Sequence, residues 1–320
     1  MNAANVQPAL HISILSADAN AYEAQLNACL PHNARVIQAA SNSDQIDCSK
    51  ISILLADPNL AAQVIPHSPG LIWCQSTWAG NAPLLKLARR DYRLTGVKGV
   101  FTRQMREYLF AYLLHFSRNV DGFRQAQLQA RSRWSVPGYF SLQNKTIGIL
   151  GAGSIGQSLL PALHMFGLRC VALVNYGRRM EGFDAVYPPD QKAGFAAECD
   201  FVFNLLPDTP STRHMIDAEF LKNLHPEAVL INAGRGSVLE EQALLEALDN
   251  QQLRAAVLDV FEQEPLPDEH PYWSHEKIWI TQHTAAESQP EDIAEVFLNN
   301  LSRLQQGLPL LYEFDFTKGY

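Results

Sequence analysis

The chain has 320 residues, 47% of them apolar and 18% charged. That length suits two domains of ordinary size, and that composition excludes wholesale disorder. A formal net charge of −8 makes the chain a poor partner for nucleic acid or an anionic membrane surface. Met1 to Leu10 carries no basic region ahead of an apolar core. The most apolar helical stretch, Tyr108 to Phe116, is far shorter than the ~20 residues of a membrane span. Neither a secretory signal nor a transmembrane segment is therefore expected. Cys29, Cys48, Cys74, Cys170 and Cys199 are scattered without metal-type spacing. They read as reduced, mostly buried thiols of a cytoplasmic protein, with no metal.

In chain order, His11–Leu15, Ala34–Ala39, Ile51–Ala56 and Leu71–Gln75 read as short buried strands, with a helix over Tyr22–Leu30 stopped by Pro31. Such alternation predicts a parallel sheet with helices on its faces. Thr102 to Asn119 reads as a long helix, because Met105, Leu109, Tyr112, Leu113, Phe116 and Val120 recur at helical spacing. After a loop around Trp134, Pro137 and Gly138 come six strand candidates separated by helical lengths. These are Thr146–Leu150, Leu168–Val174, Phe201–Leu206, Val229–Ala233, Ala255–Val260 and Ile278–Gln282. The last helix is expected to start at Ser288, where Ser288-Gln289-Pro290-Glu291 has capping-box form. The predicted fold class is α/β, with two doubly wound parallel-sheet domains (Rossmann- and flavodoxin-like) and a cleft between them. The expected division is a first domain over 1–99, a second over 100–286 and a C-terminal return to the first over 287–320.

Gly151-Ala152-Gly153-Ser154-Ile155-Gly156 follows the apolar run Ile147-Gly148-Ile149-Leu150 and opens a helical stretch. Gly151 permits the tight turn, Gly153 lets the backbone approach a pyrophosphate, and Gly156 lets helix and strand pack closely. Free N–H groups and the helix dipole then favour phosphates, with Ser154 and Ile155 in the first turn. Pro161 falls inside the expected helix and should kink it. The second strand ends Leu173-Val174-Asn175-Tyr176-Gly177-Arg178-Arg179, with no acid to accept from a ribose 2′-hydroxyl. Asn175 with Arg178 and Arg179 suits a 2′-phosphate, so NADP(H) is the expected cofactor and NAD(H) a possible one.

Three more segments end strands on the same predicted sheet edge: Asn232-Ala233-Gly234-Arg235-Gly236-Ser237, Asp259 to Pro267, and His283-Thr284-Ala285-Ala286. Together with the glycine turn and Asn204-Leu205-Leu206-Pro207-Asp208-Thr209-Pro210-Ser211-Thr212, they make the chain resemble the D-2-hydroxyacid dehydrogenase family, its glyoxylate/hydroxypyruvate reductase branch most of all. The match covers roughly Asn144 to Ser288, and the first domain matches only loosely. The resemblance implies reduction of a small 2-keto acid. Arg235 would bind the substrate carboxylate and polarise the keto oxygen, His283 would donate the proton, and Glu264 would hold the imidazole and favour its charged form. It also implies that Asp259 sits near the nicotinamide carboxamide. Leu206 and Pro207 would lie along the adenosine and phosphate path, with Ala233, Gly234 and His283 also at the cofactor. Trp78, Ala79 and Gly80 would contact substrate. A homodimer through the 102–119 helix and the following loop, with Trp134 and Tyr139, is implied as well. Two alternatives remain at this point: an NAD-dependent phosphoglycerate-type dehydrogenase, and a non-enzymatic dinucleotide-sensing protein of the same fold.

Overall fold

A computed structural model describes residues 9–129, 134, 136–175 and 180–316. The chain divides into two compact units, Met1–Val100 with Ser288–Tyr320, and Phe101–Glu287.

The first unit opens with β1 (Leu10–Leu15), α1 (Ala19–Cys29), β2 (Ala34–Ala40), β3 (Ile53–Ala56), α2 (Pro58–Val64), β4 (Trp73–Ser76), α3 (Ala82–Leu85) and β5 (Arg93–Thr95). The strands pair in parallel in the order β2-β1-β3-β4-β5, the flavodoxin-like arrangement. Every residue of β3 and β4 is buried. A strand covered on both faces needs no polar alternation, so Ile53-Leu54-Leu55-Ala56 is an unbroken apolar run. The edge strand β5 escapes sequence reading because it has three residues and begins on a charge. Arg93 grips Glu313 through two 2.7 Å bonds, next to the bridge between Thr95 and Glu313.

The second unit begins with α4 (Thr102–Arg118) and α5 (Val120–Gln129). The apolar stripe of α4 buries Met105, Leu109, Leu113 and Phe116, whereas Val120 is exposed. Asn119 between the helices explains this. Its φ of 49° is left-handed, so it ends α4 and turns the chain away. Its side chain then accepts from the Gly122 N–H at 3.2 Å, at the start of α5. The unit continues with β6 (Thr146–Leu150), α6 (Ser154–Met165), β7 (Arg169–Leu173), β8 (Ala185–Tyr187), α7 (Lys192–Glu198), β9 (Phe201–Asn204), α8 (Ala218–Lys222), β10 (Val229–Asn232), α9 (Glu241–Asp249), β11 (Ala255–Leu258) and β12 (Ile278–Ile280). All seven strands are parallel, in the order β12-β11-β10-β9-β6-β7-β8. The strand order reverses between β6 and β9, which is where doubly wound sheets bind ligands. Pro161 does not break α6, which runs unbroken from Ser154 to Met165. Pro161 is exposed, so water can take the backbone bond it cannot make.

The last helix, α10 (Pro290–Gln305), belongs to the first unit. The expected capping box does not form. Gln289 is the N-cap, and the Ser288 hydroxyl donates to the Thr77 carbonyl at 2.6 Å instead. Pro290 occupies the first turn, where its missing N–H costs nothing. Phe297 stacks on Trp73 at 4.9 Å, and Asn300 donates to Gln75 Oε1 at 3.1 Å. Among the described residues, no helix is long and apolar enough to cross a membrane. All five cysteines are free, and Cys74, Cys170 and Cys199 are buried.

Candidate active site

In the second unit, the segments following β6, β9, β10, β11 and β12 leave the sheet at one edge, because parallel strands place all their carboxyl ends together. The turn after β6 holds Gly151 at a φ of +90°, a region open to glycine. A Cβ at Gly156 would lie 3.0 Å from the Gly151 carbonyl oxygen, so a side chain there would push helix from turn. Gly153 differs: a Cβ there would meet nothing within 4 Å. Open space above a backbone at the start of a twelve-residue helix is what a pyrophosphate requires, and Ser154, Ile155 and Gly156 offer first-turn N–H groups to it. The residues present therefore fit a dinucleotide. Asn175 is exposed two residues beyond β7. Arg178 and Arg179 lie outside the described residues.

Arg235 leaves the end of β10 with an extended backbone and is partly buried. Its Nη1 donates to the Gly234 carbonyl at 2.6 Å. Burial pulls its pKa below the ordinary arginine value, against the opposing charges of Glu264 and Asp208. Gly236 follows, and a Cβ there would lie 1.9 Å from the Phe261 carbonyl carbon, so only glycine lets the β10 and β11 loops stack. Leu206 is buried and Pro207 exposed on the loop after β9, while on the loop after β10 Ala233 is partly buried and Gly234 buried.

Glu264 and His283 come together. Glu264 Oε2 bonds His283 Nδ1 at 2.8 Å, while Glu264 Oε1 accepts from the Phe261 N–H at 2.9 Å. Burial raises the Glu264 pKa, but bonds from His283 and Phe261 and the charges of His283 and Arg235 outweigh it, leaving the carboxyl below its ordinary value. The bond to Glu264 holds His283 above its ordinary value, against burial and the Arg235 charge. The imidazole is half-exposed. With Nδ1 occupied, Nε2 is the nitrogen left to carry a transferable proton.

The backbone presenting this imidazole is strained. Gln282 and His283 have φ of 54° and 60°, each left-handed conformation costing a non-glycine residue about 1–2 kcal/mol. Asp259, 1% exposed, holds the strained turn in place. Its Oδ1 accepts from Thr281 Oγ1 at 2.5 Å and from the Thr284 and Ala285 N–H groups at 2.8 and 3.1 Å. Its backbone carbonyl accepts from the His283 N–H at 2.6 Å. Tyr108 on α4 adds a bond to Thr281 Oγ1 at 2.9 Å. Sequence reading places Asp259 at the cofactor and misses both Thr281 and Tyr108. In the structure, most of that carboxylate's capacity goes to the histidine turn.

In the first unit, Trp78 is exposed on the loop after β4, with Ala79 exposed and Gly80 partly buried. Asp57 at the end of β3 anchors this loop, accepting from Thr77 Oγ1 at 2.5 Å and from Ser16 Oγ at 2.9 Å. Among the described residues, His164, Cys170 and Asp184 place metal-ligand atoms within 4.8 Å of one another. Burial pushes the Cys170 thiol up to about 12, which opposes the thiolate a metal needs, and Asp184 already accepts from the Cys170 N–H at 2.7 Å.

Residues 110–285 match the profile of the D-isomer specific 2-hydroxyacid dehydrogenase NAD-binding domain. The chain is 35% identical over 244 residues to glyoxylate/hydroxypyruvate reductase A of Serratia proteamaculans, covering 76% of this chain and 74% of that protein. A D-isomer specific 2-hydroxyacid dehydrogenase family protein from Aeromonas salmonicida superposes with a TM-score of 0.90 at 37% identity, over 96% of this chain and 99% of its own. An NADPH-dependent glyoxylate/hydroxypyruvate reductase from Sinorhizobium meliloti, solved with NADP and sulfate, superposes with a TM-score of 0.86 at 28% identity, over 98% of this chain and 100% of its own.

Proposed function

The chain belongs to the D-isomer specific 2-hydroxyacid dehydrogenase family, and from that premise we propose that it reduces a small 2-keto acid, such as glyoxylate or hydroxypyruvate, to the 2-hydroxy acid, with NADPH preferred over NADH. The observation carrying this reading is the 2.8 Å His283–Glu264 pair, on the same sheet edge as Arg235. A bound nicotinamide dinucleotide supplies the hydride. Arg235 receives the substrate carboxylate in its planar fork and polarises the keto oxygen. His283 holds at Nε2 the proton that the keto oxygen takes up. Glu264 fixes the ring through Nδ1 and keeps it charged. The Gly151–Gly156 turn would hold the pyrophosphate, and Leu206, Pro207, Ala233, Gly234 and Asp259 would lie along the dinucleotide. Asn175, Arg178 and Arg179 would receive the 2′-phosphate. The NADPH preference is supported by the absence of an acid at Val174 and Asn175, and by the NADP held in the Sinorhizobium meliloti reductase.

The test is a steady-state panel of glyoxylate, hydroxypyruvate and pyruvate, each with NADPH and with NADH. Turnover with at least one keto acid and a higher kcat/KM for NADPH is expected. No turnover overturns the enzyme reading, and a strong NADH preference overturns the 2′-phosphate assignment.

The Glu264–His283 pair sets a pH dependence whose sign follows from the shifts. His283 is raised, so its charged, proton-donating form persists to higher pH than for a free imidazole and is lost as pH rises through the raised value. Glu264→Gln removes the anion that holds this charge. The alkaline limb of keto-acid reduction is expected to move to lower pH, measured as kcat/KM against pH. An unmoved limb takes Glu264 out of this role.

We also propose that the chain forms a homodimer through α4, α5 and the segment after them. Seven of the thirteen exposed large apolar side chains among the described residues fall between Leu114 and Tyr139, including Phe123, Leu128 and the 98% exposed Trp134. Such a concentration marks an association surface. Light scattering at micromolar concentration should give twice the chain mass, and a monomer removes the proposal.

A further inference from the structure

Two of the innermost strands of the second sheet end on a buried polar residue after an apolar run. β9 reads Phe201-Val202-Phe203-Asn204 and β10 reads Val229-Leu230-Ile231-Asn232. Both asparagines are 0% exposed. A buried amide is costly unless its groups are bonded, and these are. Asn204 Nδ2 donates to Asn232 Oδ1 at 2.8 Å, and Asn204 Oδ1 accepts from the Leu206 N–H at 3.1 Å. Asn232 Oδ1 also accepts from the Gly234 N–H at 3.3 Å, and Asn232 Nδ2 donates to the Arg235 carbonyl at 3.3 Å. One amide pair thus touches the backbone of the Leu206 loop on one side and of the Arg235 loop on the other.

Two further features join the same loops. Ser237 Oγ, in a residue 8% exposed, donates to Asp208 Oδ1 at 2.7 Å. A Cβ at Gly234 would lie 2.8 Å from the Leu206 carbonyl oxygen, so the absent side chain lets the two backbones touch. The Leu206 side continues to the glycine turn, since a Cβ at Gly151 would lie 3.1 Å from the Leu205 carbonyl carbon. The phosphate turn, the Leu206 loop and the Arg235 loop are therefore packed backbone on backbone.

We propose that the Asn204–Asn232 pair, with the Asp208–Ser237 bond beside it, is a positioning device that orients Arg235 toward the keto-acid carboxylate and couples that orientation to dinucleotide seating on the Leu206 side. The proposal rests on the reading of Arg235 as the carboxylate clamp. Neither asparagine touches the reacting atoms in this scheme. Each acts through Arg235. The physical consequence is reciprocal: dinucleotide tightens keto-acid binding, and a keto-acid analogue tightens dinucleotide binding by the same factor.

The probes are NADP and oxamate, an unreactive 2-keto-acid analogue, and the readout is calorimetric binding rather than turnover. In the unsubstituted protein, saturating NADP should tighten oxamate by a factor within the usual allosteric range of about 5–150. Ser237→Ala, which deletes one hydroxyl, should cut that factor by about three- to tenfold. Asn204→Ala should cut it further, because it removes the bonds to both loops at once. Absence of coupling in the unsubstituted protein, or undiminished coupling in Ser237→Ala, overturns the proposal. If Asn204→Ala fails to fold by circular dichroism, Ser237→Ala decides alone. Arg235→Lys is measured in parallel. If it leaves oxamate affinity intact, the clamp reading has failed. If it abolishes oxamate binding while Ser237→Ala keeps full coupling, the positioning device alone has failed.

Discussion

Replacing His283 by alanine is expected to lower keto-acid reduction by about 10²–10⁴-fold, the range that a positioned general acid contributes. On the proposed role of His283 as proton donor, the loss should fall on kcat, since the keto oxygen becomes basic only as hydride arrives. The structure sharpens this expectation. His283 is not loosely held, because its Nδ1 is fixed at 2.8 Å from Glu264 and its backbone N–H at 2.6 Å from the Asp259 carbonyl. A ring so restrained needs little reorganisation on reaching the reactive geometry. Asparagine at the same position would keep a polar side chain but carry no acidic proton, and should be nearly as slow as alanine. Near-normal turnover in His283→Ala, with the fold verified by circular dichroism, would sink the assignment.

Lysine in place of Arg235 is expected to lower kcat/KM for the keto acid by about 10²–10³-fold, the scale seen when one donor to a developing oxyanion is lost. The charge survives this change and the geometry does not. A guanidinium presents parallel N–H groups matched to a carboxylate, whereas an ammonium is a point charge on a flexible stem. The partly buried setting makes the distinction larger. Burial already pulls Arg235 below the ordinary arginine value, and a lysine there would be the more easily discharged. NADP affinity should change little, which separates this variant from general damage to the sheet edge. Unchanged kcat/KM would require the carboxylate clamp to be sought elsewhere.

The parts of this site that are local in sequence are legible from the residues alone. The glycine turn is legible because a tight turn, an open backbone and a helix start all fall within Gly151 to Gly156. The apolar runs of β3, β9, β10 and β11 are legible because strands buried on both faces have few polar interruptions. The short edge strands β5 and β8 are not, whereas the equally short β12 is, because Ile278-Trp279-Ile280 is β-branched and aromatic throughout and the other two are not. The capping box at Ser288 shows the opposite failure. Its local signal is sound, but a tertiary partner, the Thr77 carbonyl, takes the hydroxyl.

The asparagines that end β9 and β10 carry a signal of their own. A polar residue at the end of an otherwise apolar strand needs a partner, and two such residues on adjacent strands can supply one another. What sequence cannot supply is the register. Asn204 and Asn232 pair because β9 and β10 align them as direct neighbours. By itself, the sequence determined that the Gly151–Gly156 turn has the form a dinucleotide needs and that apolar strands alternate with helices around it, because those properties depend on neighbouring residues. Only the tertiary structure decided that Glu264 meets His283 across 19 positions, that Asp259 anchors a strained histidine turn, and that the Leu206 and Arg235 loops are joined. These depend on which strands lie side by side, and that is settled by the packing of the whole sheet.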